Sequence, residues 1–483
     1  MLRRSETSPL DQTHSSLKKQ KNSSSSSSSS HCLTLLITLA TLSIQLLLLL
    51  LHSSRRSTEP LPQDCNSGLV YVYDLPPYFN KDLIDDCDNL TPWRSLCYQL
   101  SNSGFGPKTT DLAGTIPDHL LSSWHTTDQF AAELIYHYRI LSHPCRTTNP
   151  SHATAFYIPF YAGLAVGKHL WSPNSTAQDR DRDCSLLLNW LAKQESWNQS
   201  NGQDHFIVFG RITWDFRRAK DSDWGSSFLF MPAMRHVTRL LLERSPWDKR
   251  DVGIPYPTGF HPTTPGEVRD WQSFVLSRNR STLFSFAGSA RAKFTDDFRG
   301  LLMKECEQAE EQCRSVSCMA DGQCIGGGGG SALSLFLNSA FCLQPRGDSF
   351  TRRSMFDCIV AGAIPVMFWR RSAYEQYEWY LPMGEEKEKE WSVFVDRRKV
   401  RRGVVRVKEV LEGIEEEKVR RMREKVVELI PKLVYSAGSG YMEDAVDVAL
   451  NGLFRRVEER RRSRSREEGK PGGGGTFAWF GAA

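Results

Sequence analysis

Apolar and polar positions follow two periodicities between residues 65 and 455, and together they predict strands that alternate with helices. Short apolar runs indicate buried strands, and the expected strands are 68–74, 153–159, 205–210, 282–287, 339–343 and 363–368. Apolar residues three or four positions apart indicate core-facing helices, and the expected helices are 128–141, 184–194, 296–305, 350–360, 415–429 and 443–456. This alternation is typical of α/β domains built on parallel sheets.

One stretch, residues 339–369 (SAFCLQPRGDSFTRRSMFDCIVAGAIPVMFW), predicts a strand, a turn, a helix and a second strand. Asp348 and Ser349 are expected to cap the helix. A helix N-terminus at the carboxyl edge of a parallel sheet favours an anionic phosphate. Gly347 allows close backbone approach, and Arg352 and Arg353 add charge. The turn therefore predicts a phosphate site, although arginines that only solvate a helix face are the alternative.

The Pro-rich segment 253–265 (GIPYPTGFHPTTP) divides the strand–helix pattern into two halves, so two doubly wound lobes facing a cleft are expected. Two such lobes with a phosphate-directed turn in the second describe a GT-B fold, two Rossmann-like lobes on one chain. Periodicity alone also fits other two-lobed α/β enzymes, and the phosphate site and the luminal anchor described below favour GT-B. The expected folded segments are the N-terminal acceptor lobe (65–252), an inter-lobe crossover (253–281) and the C-terminal nucleotide-sugar lobe (282–455).

Residues 33–51 contain no charged side chain and are long enough to span a bilayer. Basic residues precede this stretch, so the positive-inside rule predicts a single-pass type II signal-anchor rather than a cleaved signal peptide. The remaining expected segments are a cytosolic disordered tail (1–32), a stem (52–64) and a disordered basic, Gly-rich tail (456–483). Acidic residues are interleaved in that last tail, so no nucleic-acid partner is expected.

Eleven of the twelve cysteines lie beyond residue 51, as expected of a luminal chain with disulfides. A zinc site is the alternative for Cys306, Cys313, Cys318 and Cys324, but their spacing lacks CxxC pairs. Because eleven is odd, at least one thiol is free or pairs outside the chain. Four N-x-Ser/Thr sequons begin at Asn89, Asn174, Asn198 and Asn279.

Several segments resemble the exostosin-type plant glycosyltransferases, in the branch that contains the xyloglucan galactosyltransferases. They include YVYDLPPYFN, WHTTDQFAAELIYHYRI, GRITWDFRR, FAGSAR and the 339–369 stretch, in collinear order. WRRSAYEQYEWYLP is most similar to the enzyme that acts on the second xylosyl position. The resemblance implies a Golgi enzyme with a GT-B fold that uses UDP-galactose and inverts to a β-linkage. The glycine run 326–330 and the basic tail depart from the family pattern.

An inverting transfer needs a held diphosphate and a base for the acceptor hydroxyl. The expected diphosphate ligands are Gly347, Ser349, Arg352, Arg353 and Arg291. Asp357, or else Asp348, is the candidate for the hydroxyls of ribose or galactose.

The base is expected from the first lobe, where Asp215 follows the strand 205–210 and His125 and Asp128 precede a helix. The alternatives are that Asp215 only pairs with Arg217 or Arg218, and that Asp128 only caps its helix. His261 is a weaker candidate.

Asp221 and Asp223 have the D-x-D form of metal-dependent glycosyltransferases, but Asp86/Asp88, Asp179/Asp181 and Asp181/Asp183 share it. We expect no metal and no permanently bound cofactor, since a helix dipole and arginines can replace a metal. Expected partners are the xyloglucan acceptor, the Golgi membrane and other xyloglucan-synthesising glycosyltransferases. A UDP-galacturonate or UDP-arabinose enzyme, or a non-catalytic glycan-binding scaffold, remains an alternative. Aromatic residues are candidates for an acceptor groove, namely Trp214, Trp224, Tyr256, Phe260, Trp369, Tyr374, Tyr377, Trp379 and Tyr380.

Overall fold

The computed structural model describes residues 40–41, 43–45, 65–291, 297–318, 324–325, 332–438 and 442–468. The chain divides into two compact units, Met1–Pro62 and Gln63–Ala483. In the first unit, the described residues 40–41 and 43–45 are helical. None of the helices in the described ranges is long and apolar enough to cross a bilayer. Most of the expected anchor, the tail 1–32, the whole stem 52–64 and the glycine run lie outside the described residues.

The first half of the second unit contains a six-stranded parallel sheet in the order β2-β1-β3-β4-β5-β6. Its strands are β1 (Val70–Val72), β2 (Arg146–Thr147), β3 (Ala155–Ile158), β4 (His205–Ile212), β5 (Thr238–Glu243) and β6 (Asp251–Gly253). Every residue of β3 and β5 is buried, as expected of a parallel sheet covered on both faces. The sequence predicts β1, β3 and β4 but misses β2, β5 and β6.

A second six-stranded sheet has the order β12-β11-β10-β7-β8-β9 and is parallel except for the β8–β9 pair. Its strands are β7 (Thr282–Ala287), β8 (Cys313–Cys318), β9 (Cys324–Ile325), β10 (Ser339–Gln344), β11 (Ile364–Met367) and β12 (Val393–Phe394). Successive strands extend in opposite directions from β7 and β10, which makes this pair the topological switch point, where ligands bind in such sheets. Two parallel sheets confirm the expected α/β class and a GT-B-like architecture.

Helices pack on both sheets. In the first half they are α1 (Lys81–Asp85), α2 (Cys97–Leu100), α3 (Ala132–Leu141), α4 (Ala162–Leu170), α5 (Ala177–Leu191), α6 (Glu195–Ser200) and α7 (Pro265–Ser277). In the second half they are α8 (Phe298–Gln308), α9 (Ala332–Leu337), α10 (Arg353–Val360), α11 (Glu385–Glu388), α12 (Arg397–Arg401), α13 (Val407–Glu412), α14 (Glu416–Leu429) and α15 (Ala445–Glu468). The sequence misses the long helices α4 and α7 and the shorter helices α1, α2, α6, α9, α11, α12 and α13. It also places the start of α5 too late, because a capping box of Thr176 and Asp179 begins that helix.

The last helix, α15, returns to the first sheet. Just before it, Asp444 accepts a hydrogen bond from Arg139 of α3 at 2.9 Å, and Asp447 within it lies 2.9 Å from a ring nitrogen of His143. Farther along, Arg460 donates to the carbonyl oxygen of Gln203 at 2.6 Å. These contacts keep the chain helical to Glu468, so the expectation of disorder from residue 456 is wrong over 456–468.

Disulfides join Cys65 to Cys145, Cys87 to Cys97, Cys306 to Cys313 and Cys342 to Cys358. Cys318 is also disulfide-bonded, and Cys184 is a free, buried thiol. Disulfides rather than zinc are therefore confirmed for Cys306, Cys313 and Cys318. The segment 313–318, which is absent from the strands that the sequence predicts, is the strand β8.

Candidate active site

The segment that follows β10 lies at the switch point of the second sheet. Residues 345–352 form an irregular turn, and α10 begins after it at Arg353. A side chain at Gly347 would collide with the carbonyl oxygen of Thr351, so a glycine is needed for this turn to close. Arg352, not Asp348 or Ser349, occupies the position before the helix and makes no side-chain cap there, so the predicted cap is wrong.

A carboxylate from the first sheet explains why the helix starts late. Glu243, the last residue of β5, is completely buried. Its Oε2 accepts hydrogen bonds from the backbone amide and the hydroxyl of Thr351, each at 2.7 Å. Its Oε1 accepts one from Trp214 Nε1 at 2.7 Å and one from the Ser349 hydroxyl. These contacts between the sheets hold residues 349–351 outside the helix.

Sequence reasoning missed Glu243 because residues 238–243 (TRLLLE) were not predicted to form a strand. That apolar run ending in a glutamate could have indicated a buried strand. The carboxyl ends of parallel strands are where functional side chains are usually found. Tyr256 joins the same contact, since its buried hydroxyl lies 3.0 Å from Thr351 Oγ1.

Arginines surround the turn. Arg291 and Arg299 both approach Asp348, Arg299 at 3.5 Å. Arg346 donates to the Asp348 carbonyl oxygen at 2.9 Å. The Asp348 side chain is 75% exposed, so solvent screens much of the compensation that it provides. The positive charge gathered here suits an anionic ligand.

Arg352 lies beneath this cluster. Its Nη2 donates to the Ala287 carbonyl oxygen at 2.6 Å, and its guanidinium packs over the Phe286 ring. Its Nη1 is buried and has no hydrogen-bond partner within the described part of the chain. Burial, followed by repulsion from Arg299, lowers the pKa of Arg352 to about 9. A buried donor that lacks a partner is costly unless a ligand satisfies it.

Arg353 faces the first sheet. Its Nη1 donates to the Thr127 carbonyl oxygen at 2.7 Å, and its Nε lies 3.4 Å from Asp357 Oδ2. Burial raises the pKa of Asp357, and the neighbouring Arg353 opposes that shift. The structure therefore brings Arg353 and Asp357 together on one face of α10, next to residues 127–128 in the loop that precedes α3.

Two of the candidate bases lie within two residues of Thr127 in the chain, and Thr127 is the residue to which Arg353 donates. Asp128 follows Thr127, and its Oδ1 accepts a hydrogen bond from the Phe130 amide at 2.8 Å while its Oδ2 pairs with Arg94 at 3.1 Å. His125 is buried, and its Nδ1 has no partner among the residues that the structure describes. Burial, and then Lys108, lowers the pKa of His125, so its imidazole is neutral at neutral pH.

The weaker candidate, His261, is a structural residue. Its ring nitrogens lie 2.8 Å from Thr127 Oγ1 and 2.9 Å from the Tyr435 carbonyl oxygen. Burial lowers the pKa of His261 to about 3, so it stays neutral and fixes the backbone beneath residues 125–128.

Asp215 is buried and fully engaged. Its Oδ1 accepts a hydrogen bond from Trp224 Nε1, and its Oδ2 accepts one from Arg211 Nε, both at 2.7 Å. Its ion-pair partner is thus Arg211 rather than the expected Arg217 or Arg218. Arg211 also packs over Phe130, 4.8 Å from the ring centroid.

Glu133 lies behind Arg211 and was not predicted to matter. Its Oε1 accepts hydrogen bonds from the backbone amides of Gly163 at 2.6 Å and Gly210 at 2.9 Å. Its Oε2 is buried without a partner in the described residues. Burial raises the pKa of Glu133 to about 8, so the carboxyl group carries a proton at neutral pH.

Comparison with known proteins identifies the family. A model of the exostosin GT47 domain matches residues 64–412. The chain belongs to the exostosin GT47 family.

Three GT47-type relatives come from Arabidopsis thaliana. Xyloglucan galactosyltransferase XLT2 is 56% identical over 398 residues, which cover 82% of this chain and 76% of XLT2. Xyloglucan galactosyltransferase MUR3 is 38% identical over 83% of this chain and 64% of its own length. Xyloglucan-specific galacturonosyltransferase 1 is 39% identical over 82% of this chain and 58% of its own. The chain therefore spans less than two thirds of the last two.

Aromatic residues of this GT47 chain divide between core and surface. Among the groove candidates, Tyr256, Phe260, Tyr374, Tyr377 and Tyr380 are buried core residues. Trp214 and Trp369 flank the turn, with ring centroids 5.6 and 5.0 Å from that of Phe350. Trp247, which sequence reasoning missed, is 65% exposed beside them.

The D-x-D pairs of the GT47 chain serve structural contacts. Arg218 pairs with both Asp181 and Asp221, and Asp179 caps α5. No cluster of three or more metal-ligating side chains occurs in the described ranges. Metal independence stays a prediction that activity measurements must test.

Proposed function

We propose that this protein transfers galactose from UDP-galactose to xylosyl side chains of xyloglucan and forms a β-linkage. The relative named xyloglucan galactosyltransferase XLT2, at 56% identity, supports the substrate pair. The observation that carries the chemistry is the buried Nη1 of Arg352, a donor without a partner in the described chain, inside a cluster of arginines at the switch point. A diphosphate supplies the negative charge that this cluster lacks.

In this proposal the lobe 282–455 binds the nucleotide sugar. The turn Gly347–Ser349 and the side chains of Arg291, Arg352 and Arg353 hold the diphosphate and neutralise the charge that develops on the leaving group. Asp357 accepts hydrogen bonds from hydroxyls of the ribose or the galactose. Before the diphosphate binds, Asp348 forms ion pairs with Arg291 and Arg299.

The lobe 65–252 binds the acceptor and supplies the base. We assign that role to Asp128, which adjoins the Arg353–Thr127 contact between the sheets and is partly exposed. Its carboxylate removes the proton of the acceptor hydroxyl while that oxygen attacks the anomeric carbon. The bond from that carbon to the β-phosphate oxygen breaks, and UDP leaves with the electron pair. Asp128 and Asp215 both have their two oxygens bonded, but the Asp128 side chain is the more exposed of the two and lies next to the Arg353–Thr127 contact. The free nitrogen of His125 is buried, which makes it a weaker choice.

The proposed location is the Golgi lumen, with residues 33–51 as a type II anchor. Disulfides persist in such an oxidising compartment, and all four sequon asparagines are exposed. The proposed partners are the xyloglucan acceptor and other xyloglucan-synthesising enzymes at the same membrane.

The donor is tested by offering UDP-galactose, UDP-galacturonate and UDP-arabinose separately to the full chain in detergent. The acceptors are galactose-free xyloglucan oligosaccharides, EDTA is present, and products are mapped by mass spectrometry. We expect hexose addition from UDP-galactose alone. Hexuronic acid addition would instead assign the activity named for the 39% identical galacturonosyltransferase. No transfer by demonstrably folded protein would favour a non-catalytic glycan-binding scaffold.

A further inference from the structure

Three tryptophans from separate segments of the first half of the fold form a tryptophan cluster (Trp93, Trp171 and Trp224). Trp93 lies inside the loop closed by the Cys87–Cys97 disulfide, Trp171 follows α4, and Trp224 lies beyond β4. The ring centroids of Trp93 and Trp171 are 5.0 Å apart, and those of Trp171 and Trp224 are 4.8 Å apart. The side chains are nevertheless 57%, 46% and 44% exposed, respectively. Contiguous exposed apolar surface marks an interaction site, whereas single exposed residues do not.

Each end of the tryptophan cluster is connected to one of the two aspartates considered as the base. Trp224 donates to Asp215, whose other oxygen holds Arg211. At the opposite end, Arg94, the neighbour of Trp93 in the chain, pairs with Asp128 at 3.1 Å. A ligand that lies along the cluster therefore continues towards the carboxylate that we assign as the base.

Three basic side chains around the tryptophan cluster are each paired with a carboxylate, which favours a ligand without negative charge. Arg94 is paired with Asp128, Arg211 with Asp215, and Lys168, on the helix that precedes Trp171, lies 3.4 Å from Asp183. The axial C–H bonds of a pyranose ring form an apolar face that packs on an indole ring, while its hydroxyl groups remain in water. Several adjacent indoles suit a chain of sugar rings better than a single sugar.

We propose that the tryptophan cluster binds the glucan backbone of the acceptor polysaccharide beyond the unit that reacts. This inference rests on the proposed function, because it takes xyloglucan as the acceptor. It assigns to Trp93 and Trp171 a role in holding the polymer, separate from donor binding and from the transfer itself.

The test measures binding of the full chain in detergent to immobilised galactose-free xyloglucan, without any donor. The double variant Trp93→Ala/Trp171→Ala is compared with the unmodified chain, and Trp224 is retained because it bonds to Asp215. We expect polymer affinity to fall about tenfold, the loss expected from removing stacked aromatic contacts. UDP affinity and the unfolding temperature should not change. The matched control is Phe394→Ala, which removes an exposed aromatic ring of the second sheet and should leave polymer affinity unchanged.

Kinetics supply a second readout. The double variant should raise the KM for the polymer about tenfold while kcat and the KM for a single-repeat oligosaccharide stay unchanged. If the unmodified chain transfers no sugar but binds the polymer, and the double variant loses that binding, the proposed function fails while the contact between the tryptophan cluster and the polymer stands.

Three results would overturn the inference. The first is unchanged polymer affinity in the folded double variant. The second is a change of oligomeric state in place of a loss of polymer binding, which would make the cluster a contact between copies of the chain. The third is polymer binding that appears only after N-glycans are removed, since the nearby Asn174 sequon would then supply the occupant.

Discussion

The carboxylate of Glu243 accepts the backbone amide of Thr351 at 2.7 Å, and this bond joins the two sheets at a point closed to solvent. Thr351 belongs to the turn that we assign to the donor diphosphate. Through this bond, the first sheet fixes the shape of a binding turn that the second sheet carries. Donor affinity should therefore depend on a residue that touches no part of the donor.

Replacing Glu243 by Gln should weaken UDP binding at least tenfold, since the new amide directs N–H donors at the donors of Thr351. The free energy of unfolding should fall by about 3 kcal/mol, as expected when one partner of a buried charged contact is lost. Calorimetry with UDP and thermal denaturation measure the two effects. Glu378→Gln, at an exposed ion pair with Arg244 between the same halves of the fold, is the control. If Glu243→Gln bound UDP as tightly as the unmodified chain, Glu243 would not control the shape of the donor-binding turn.

The Asp128→Asn variant should lose about 10²- to 10⁴-fold in kcat with little change in the KM for UDP-galactose, the size of effect expected of a general base. The asparagine oxygen can still accept the Phe130 amide, so the fold should survive. Initial rates at saturating donor give kcat. The companion variant, Asp215→Asn, weakens the pairing with Arg211 and should be less stable but still active. The reverse pattern would transfer the role of base to Asp215.

Asp348→Asn should raise UDP affinity, because its carboxylate competes with the diphosphate for Arg291 and Arg299. The gain should be about threefold, since exposed ion pairs are weak. Titration calorimetry at two salt concentrations measures it, and the gain should shrink at the higher one. A loss of UDP-galactose affinity with UDP affinity unchanged would instead show that Asp348 contacts the sugar.

Arg352→Lys should lower UDP affinity at least tenfold, because an ammonium group cannot bond the Ala287 carbonyl oxygen and a phosphate with the geometry of a guanidinium fork. Arg346→Lys is the comparison and should lose less, because the Arg346 guanidinium packs over Trp369 and is not a buried donor without a partner. Equal losses in the two variants would argue for a general charge effect rather than a specific role of Arg352.

Glu133 should make stability depend on pH. Its pKa is about 8 in the folded chain against an ordinary value of 4.5, so the folded state binds the proton more tightly. The stabilisation is complete below pH 4.5, declines as the pH rises towards 8 and is lost above it. Glu133→Gln should therefore match the unmodified chain at pH 5 and exceed its unfolding temperature at pH 9. The prediction would be contradicted if the unfolding temperatures of the two chains changed with pH in the same way between pH 5 and pH 9.

Sequence patterns predicted the elements that are stabilised by their own apolar residues. The strands β10 and β11 and the helix α10 lie where Phe341, Ile359 and Val366 indicated them. The start of α10 could not be predicted, because Glu243 holds Thr351 from 108 residues away in the chain. The contact between Glu243 and Thr351 therefore overrides the local preference of Asp348 and Ser349 for the cap position.

The candidate site was predictable to a similar degree. The arginines gather at the turn that the sequence indicated, and the structure places Asp128 beside Arg353. The missed residues, Glu243 and Glu133, gain their properties from burial by distant segments, and no local pattern records that burial.

The pairing of Arg139 with Asp444 also constrains the order in which this chain can fold. A chain made N-terminus first at about 5–20 residues per second produces Asp444 roughly 15 to 60 s after Arg139, which lies 305 positions earlier. Until then the Arg139 side chain lacks the carboxylate of Asp444 as its partner. The surface of the first sheet that α15 covers also remains exposed to solvent. A chain truncated before residue 444 should consequently depend on chaperones along its whole first half, however complete that half is in sequence.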